Sequence, residues 1–295
     1  MDEKILSEAR KILKADDVKI VERLLGGMSN YTYIIEADGT LYTFRIPGEY
    51  SEHFVDRSAE IQNIRIVEGL KITNQTVYLN VENGIKIAKY VPGKPLSTLP
   101  ESVYPYTKIA EVLKVLHNSN LKAVNDYEPF KRLTYYEKIC TDLGFTHPDE
   151  YLKQKEYFYT FKDYLESQEK VLTHGDSQPS NFVLTDDDNL FIVDFEFCGN
   201  NDPIYDIACF SNKFYTDGLK LLEVYYPNLT DEHLLRFHLW RAFQCFQWYN
   251  VATFKEMVGM SKTLHIDFAL VAKKYLEMII FLLEKVKEIA NNLKK

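Results

Sequence analysis

The stretch from Thr173 to Phe197, THGDSQPSNFVLTDDDNLFIVDFEF, restricts the fold more than any other part of the chain. Two short apolar runs, FVLT and LFIV, flank an aspartate-rich turn, the pattern of a β-hairpin. Asp176 lies on a tight glycine-containing loop ahead of the first run. Asn181 follows five residues later, where the first strand begins, and Asp194 ends the second strand. The 13 residues from Asn181 to Asp194 are enough for two short strands and a turn. Pairing of those strands would bring Asn181 and Asp194 to the same end. The run Asp186-Asp187-Asp188 reads as the solvated turn between them, not as a metal site.

An Asp, an Asn and an Asp so arranged suit phosphoryl transfer. That reaction asks a protein for positioning, a metal clamp and a group to receive the acceptor's proton, with little covalent chemistry. Asp176, on its loop, can take the proton of an acceptor hydroxyl. Asn181 and Asp194 can hold a metal ion from two sides. His174 is expected to be a structural hydrogen-bonder, because Asp176 already supplies the base.

The rest of the chain changes character once. Residues 4–14 are helix-like. From Val18 to Val91 the pattern is β: VKIVERLL, then YTYIIEA and LYTFRI joined by an Asp38-Gly39 turn, a strong hairpin signal. SEHFVDRSAEIQNIRIVEGL reads as one inserted helix, with Phe54, Ile61, Ile64 and Val67 at helical spacing. TVYLNV and IKIAKYV form a second hairpin around ENG. Pro92, Gly93 and Pro95 then punctuate the chain. Helical patterns follow at 106–119, 131–143, 149–168, 230–256 and 263–293, with His117 a helix-packing residue. The expected architecture is α+β: a β-rich nucleotide-binding lobe, 1–92, and a larger, mainly helical catalytic and substrate-binding lobe, 93–295.

Composition narrows the function. The chain has 295 residues, enough for a sizeable core, with 43 acidic and 35 basic side chains, net −8. That balance argues against sequence-independent nucleic-acid binding, which needs cations to neutralise phosphates. Cys140, Cys198, Cys209 and Cys245 show no paired or zinc-site spacing and read as buried free thiols of a reducing compartment. The N-terminus is charged, and no apolar run reaches the roughly 18–20 residues of a membrane span. A cytoplasmic protein that enters no membrane is expected; the oligomeric state is not encoded in any pattern.

The two motifs H174-G-D-S-Q-P-S-N181 and D194-F-E196 match the signature set of kinases. HGD in place of HRD and DFE in place of DFG resemble the aminoglycoside phosphotransferase and choline kinase branch of the protein-kinase-like fold. GGMSN (26–30), FRIPG (44–48), DRSAE (56–60) and FEFCGNNDPIYDIA (195–208) are similar to bacterial choline kinases. The resemblance spans roughly residues 20–270. It implies a two-lobed kinase-like fold and transfer of the γ-phosphate of ATP, with Mg²⁺, to choline or a close amino alcohol. Asp176 would be the base, and Asn181 and Asp194 the Mg²⁺ ligands. Gly27, Ser29 and Asn30 would belong to the turn over the phosphates. Arg45 would stand where protein kinases place a Lys, paired with Glu60. Lys89 and Val91 would offer backbone groups to adenine. Asp206 would brace the catalytic loop.

The acceptor is less constrained. A quaternary ammonium is held by aromatic faces and a nearby carboxylate. The resemblance implies an aromatic wall from Trp248 or Tyr249 in HLWRAFQCFQWYNVATFKE, with Phe197 beside it and Gln178 and Glu196 close to the catalytic loop. Most aromatics in that helix are expected to be core. Lys213 stands where the family tends to carry an acidic residue, so one carboxylate of the cage is missing. Aminoglycosides, ethanolamine, thiamine or a sugar are alternative acceptors, and a catalytically silent nucleotide-binding scaffold is the alternative to an enzyme. The basic end, KVKEIANNLKK, counts against the aminoglycoside reading.

Overall fold

The computed structural model describes residues 2–24 and 30–293. They form two compact units, 1–126 with 171–200, and 127–170 with 201–295.

The first unit is built on an antiparallel sheet. It contains α1 (Asp2–Leu13), β1 (Val18–Leu24), β2 (Asn30–Ala37), β3 (Thr40–Pro47), α2 (Arg57–Val67), β4 (Thr76–Leu79) and β5 (Lys86–Lys89). The strand order is β1-β2-β3-β5-β4. Asp38 and Gly39 both have positive φ, 46° and 79°, which gives the β2–β3 turn the twist a two-residue hairpin needs. Strand alternation then sorts the faces. Tyr33, Ile35, Phe44, Ile85 and Ile87 pack with Ile5 and Ala9 of α1. Arg45 and Lys86, one residue out of phase, project from the other face.

The inserted helix is shorter than its apolar spacing suggested. Asp56 caps it, accepting the N–H groups of Ser58 at 2.9 Å and Ala59 at 3.1 Å, so α2 starts at Arg57. Phe54 lies before it, and the flanking residues 51–53 and 68–70 are single 3₁₀ turns.

β6 (Gly93–Pro95), α3 (Tyr106–His117), β7 (Val171–Thr173), β8 (Phe182–Thr185), β9 (Leu190–Ile192) and β10 (Gly199–Asn201) complete this unit. β8 and β9 form the expected hairpin, Phe182 opposite Ile192. β6 adds to the other edge of β8, with Gly93 opposite Thr185. The 92/93 lobe boundary therefore falls inside this unit. Lys108 of α3 binds the Asp188 carbonyl at 2.6 Å, and the acidic turn is otherwise closed by Thr185 and Asn189.

The second unit is helical: α4 (Pro129–Asp142), α5 (Asp149–Tyr159), α6 (Lys162–Glu166), α7 (Pro203–Cys209), α8 (Tyr215–Tyr225), α9 (Asp231–Met257), α10 (Met260–Leu264) and α11 (Phe268–Leu293). Two helical patterns read as continuous are each broken in two, at Thr160-Phe161 and at His265, whose φ is +53°. α9 begins on a capping box of Thr230 and His233 and packs against α11, α7 and α4. Trp240, Phe243, Phe246, Tyr249 and Phe254 of α9 are buried, and Trp248 is half-buried. All four cysteines are buried free thiols. No helix among the described residues is long and apolar enough to cross a membrane.

Candidate active site

Every residue of the catalytic pattern lies in the first unit. Gly175 makes the loop possible. Its φ is +80°, and a Cβ there would lie 2.1 Å from the Phe197 carbonyl oxygen, so only glycine fits. His174 locks the loop to the strand behind it. Its Nε2 donates to the Val193 carbonyl at 2.9 Å, and its Nδ1 accepts the Asp176 N–H at 3.2 Å. Its ring packs on Phe195, with centroids 4.4 Å apart.

Asp176 is half-buried, and its two oxygens differ. Oδ2 accepts from Gln178 Nε2 at 3.0 Å and from Asn181 Nδ2 at 3.1 Å. Oδ1 takes no hydrogen bond among the described residues. Burial pushes this carboxyl well above the usual range, and the charges of Asp194 and Glu196 add to the rise. Gln178, expected on the substrate, donates to the Asp176 carboxylate.

Asn181 Nδ2 also donates to the Asp176 carbonyl at 2.7 Å. With its N–H groups committed there, its amide oxygen is the end left for a cation. The Asn181 carbonyl accepts the Val193 N–H at 2.8 Å, which places Asp194 next to it in the paired chain. Asp194 has φ +69° and a side chain 33% exposed. Arg45 Nη1 binds one carboxylate oxygen, Oδ1, at 2.7 Å. A carboxylate and an amide oxygen are the donors that a hard divalent cation such as Mg²⁺ accepts, completed by phosphate oxygens and water. Among the described residues no group of three or more His, Cys, Asp and Glu gathers as a cage, and a Mg²⁺ so held requires none.

Arg45 is the hub of a buried ionic web. Its Nη2 grips Glu60 at 2.7 and 2.9 Å, a two-oxygen contact suited to its planar fork. Glu60 also binds Arg57 Nη1 at 2.7 Å, and Lys86 Nζ lies 3.6 Å from it. Burial opposes the Glu60 charge, but Arg45, Lys86 and Arg57 outweigh it and hold the carboxyl down at about 2. Glu196 is buried, and its Oε2 accepts from Arg57 and Asn30, each at 2.9 Å, with Arg45 at 3.4 Å. Burial and the Asp194 charge raise its pKa. Phe197 is buried behind Gly175.

Arg57 and Lys86 were not singled out in the sequence. Arg57 stands three residues before Glu60 on α2, a spacing that pairs charges on a helix. Lys86 faces Arg45 across β3 and β5, which only the strand register discloses. Gly27 and Ser29 lie outside the described residues. The Lys89 N–H and carbonyl are taken by the Gln75 carbonyl at 2.8 Å and Asn74 Nδ2 at 3.0 Å; Val91 follows β5.

The remaining expected residues belong to the second unit. Trp248 is the half-buried aromatic of α9. Tyr249 is buried and stacks on Tyr151, with centroids 4.8 Å apart. Asp206 is fully buried on α7. Lys213 lies over the Phe214 ring at 5.3 Å.

The choline/ethanolamine kinase family pattern matches residues 21–232. Protein LicA of Haemophilus influenzae is 26% identical over 188 residues, which cover 62% of this chain and 55% of that protein. The match thus spans little more than half the length of that curated relative. The solved choline kinase LicA from Streptococcus pneumoniae is 21% identical, with a TM-score of 0.72 over 93% of this chain and 98% of its own. The gentamicin–APH(2″)-IIa complex is 18% identical, with a TM-score of 0.67 over 95% of this chain and 98% of that one. These two likenesses establish the two-lobed kinase-like fold.

Proposed function

The chain belongs to the choline/ethanolamine kinase family, and we propose that it is an ATP-dependent phosphotransferase that moves the γ-phosphate to the hydroxyl of choline or a close amino alcohol such as ethanolamine. The observation that carries this reading is the divided carboxylate of Asp176. Two amide donors hold Oδ2, and Oδ1 is left to receive a proton. The raised pKa makes Asp176 a stronger base than an ordinary carboxylate. Asn181 and Asp194 would hold Mg²⁺, which when bound neutralises charge on the transferred phosphoryl group. Arg45 would face the phosphates, positioned by Glu60 and Arg57. Asn30 would close the turn above them, and Val91 would meet adenine. Trp248 would offer a ring face to the ammonium of the acceptor.

ADP release with Mg²⁺ and ATP, measured against choline, ethanolamine, an aminoglycoside, thiamine and no acceptor, tests the reading. Strong stimulation by choline or ethanolamine is expected. Stimulation by the aminoglycoside or thiamine alone would keep the phosphotransferase and overturn the amino-alcohol acceptor. Asp176→Asn should lower kcat by about 10²–10⁴-fold while ATP affinity stays nearly unchanged. Full activity in that variant would remove Asp176 from the base role.

A further inference from the structure

Arg45 and Lys86 are direct partners across β3 and β5. Directly opposed residues on one face have Cβ atoms about 5 Å apart, and like charges so placed repel unless an anion answers both. Both residues are buried, at 4% and 7% exposure.

Arg45 keeps a fully buried donor, Nε, without a hydrogen-bond acceptor among the described residues. The Lys86 ammonium has its ion-pair partner, Glu60 Oε1, 3.6 Å away, beyond hydrogen-bond range. That oxygen is already held by Arg45 at 2.7 Å. A lysine ammonium has three donors, so Lys86 has capacity for further acceptors. Burial and the Arg45 charge accordingly lower the Lys86 pKa. Two directly opposed cations on the face that carries the Glu60 and Asp194 contacts, one with an orphaned Nε and the other with only a 3.6 Å ion pair, suit an anion with several oxygens and more than one charge.

We propose that Lys86 is a second phosphate-binding cation beside Arg45, and that the pair seats the polyphosphate of a nucleoside di- or triphosphate. The proposal rests on the phosphotransferase reading of the same site. A lysine supplies a point charge, whereas the arginine fork is already committed to Glu60 and Asp194 through Nη1 and Nη2. The division of labour follows: Arg45 faces the phosphates from a position fixed by Glu60 and Asp194, and Lys86 adds a point charge beside it.

Binding of ATP, ADP, AMP and adenosine to wild type, Lys86→Met and Lys86→Arg, in Mg²⁺, tests the assignment. Lys86→Met should weaken ATP and ADP by about tenfold or more and leave adenosine unchanged. Lys86→Arg should recover most of the loss. The melting temperature should barely move, because Glu60 keeps Arg45 and Arg57. Lys86→Gln, which retains a neutral donor, serves in the same way if the Met variant does not fold. An unchanged ratio of ATP to adenosine affinity would overturn the proposal and make Lys86 a counter-ion of Glu60 only. A wild type that turns over ATP with that unchanged ratio sinks the Lys86 assignment alone. A wild type that neither binds nor hydrolyses ATP sinks the phosphotransferase reading and the assignment together.

Discussion

Glu60 gathers three cations onto one carboxylate, and its consequences belong to the scale of the single residue. Its folded pKa, about 2, lies below the ordinary value of 4.5. A carboxyl depressed on folding contributes stability above its unfolded pKa and loses it as pH falls through its folded one. The window is therefore about pH 4.5 down to 2. Glu60→Gln removes the charge but keeps the shape. It should destabilise the protein at pH 7 by about 3–5 kcal/mol, the usual cost of breaking a buried ion pair. The gap to wild type should close as the pH drops toward 2. Urea midpoints measured from pH 7 downward check this, and a constant gap would mean that Glu60 acts through packing rather than charge. At this scale the grouping of Asp176, Asn181 and Asp194 was legible, since their spacing along one hairpin is local. Arg57 and Lys86 were not. Arg57 meets Glu196 across 139 positions of chain, and Lys86 meets Arg45 only through strand register.

At the scale of elements, alternation and turn chemistry carried the sheet. Asp38-Gly39 announced the β2–β3 turn, and the period of two separated Phe44 from Arg45. Helix length was harder to read, because apolar spacing marks a face and not an end. Asp56 sets the start of α2 by capping it, and α7, of seven residues, is too short to show a period. Asp202 illustrates how such a short helix is held. Its Oδ1 accepts the Ile204 N–H at 2.9 Å, capping α7, and its Oδ2 accepts Trp240 Nε1 at 2.8 Å and Arg236 at 3.3 Å from α9. Asp202→Ala would remove the cap, about 1 kcal/mol, strand a buried indole N–H, and take the carboxylate from Arg236, which keeps Gln168 at 2.9 Å. A total loss of about 3–5 kcal/mol is expected. Asp202→Asn, which keeps one oxygen, should lose less. Equal urea midpoints for the two variants would assign the whole effect to the lost charge.

At the scale of the whole chain, the described residues proposed to bind the nucleotide belong to the first unit, and Trp248 belongs to α9 of the second. Most aromatics of α9 were expected to be core from their helical spacing, and most are. Tyr249 stacks on Tyr151, Phe246 meets Tyr151 edge-on, and Trp240 donates to Asp202. A one-dimensional pattern cannot separate these rings from Trp248, because all of them recur within one long helix and burial is decided by α11, α7 and α4 around it. Trp248 is half-buried, and it is the ring proposed above for the ammonium. A desolvated cation–π contact contributes about 2 kcal/mol, roughly 30-fold in affinity. Trp248→Ala should therefore raise KM for choline by up to about that factor, leave KM for ATP nearly unchanged, and shift the melting temperature little. Steady-state kinetics with each substrate varied in turn make the comparison. If KM for both substrates rises equally and the melting temperature falls, Trp248 is a packing residue like its neighbours. The ammonium would then have to be recognised elsewhere in the chain.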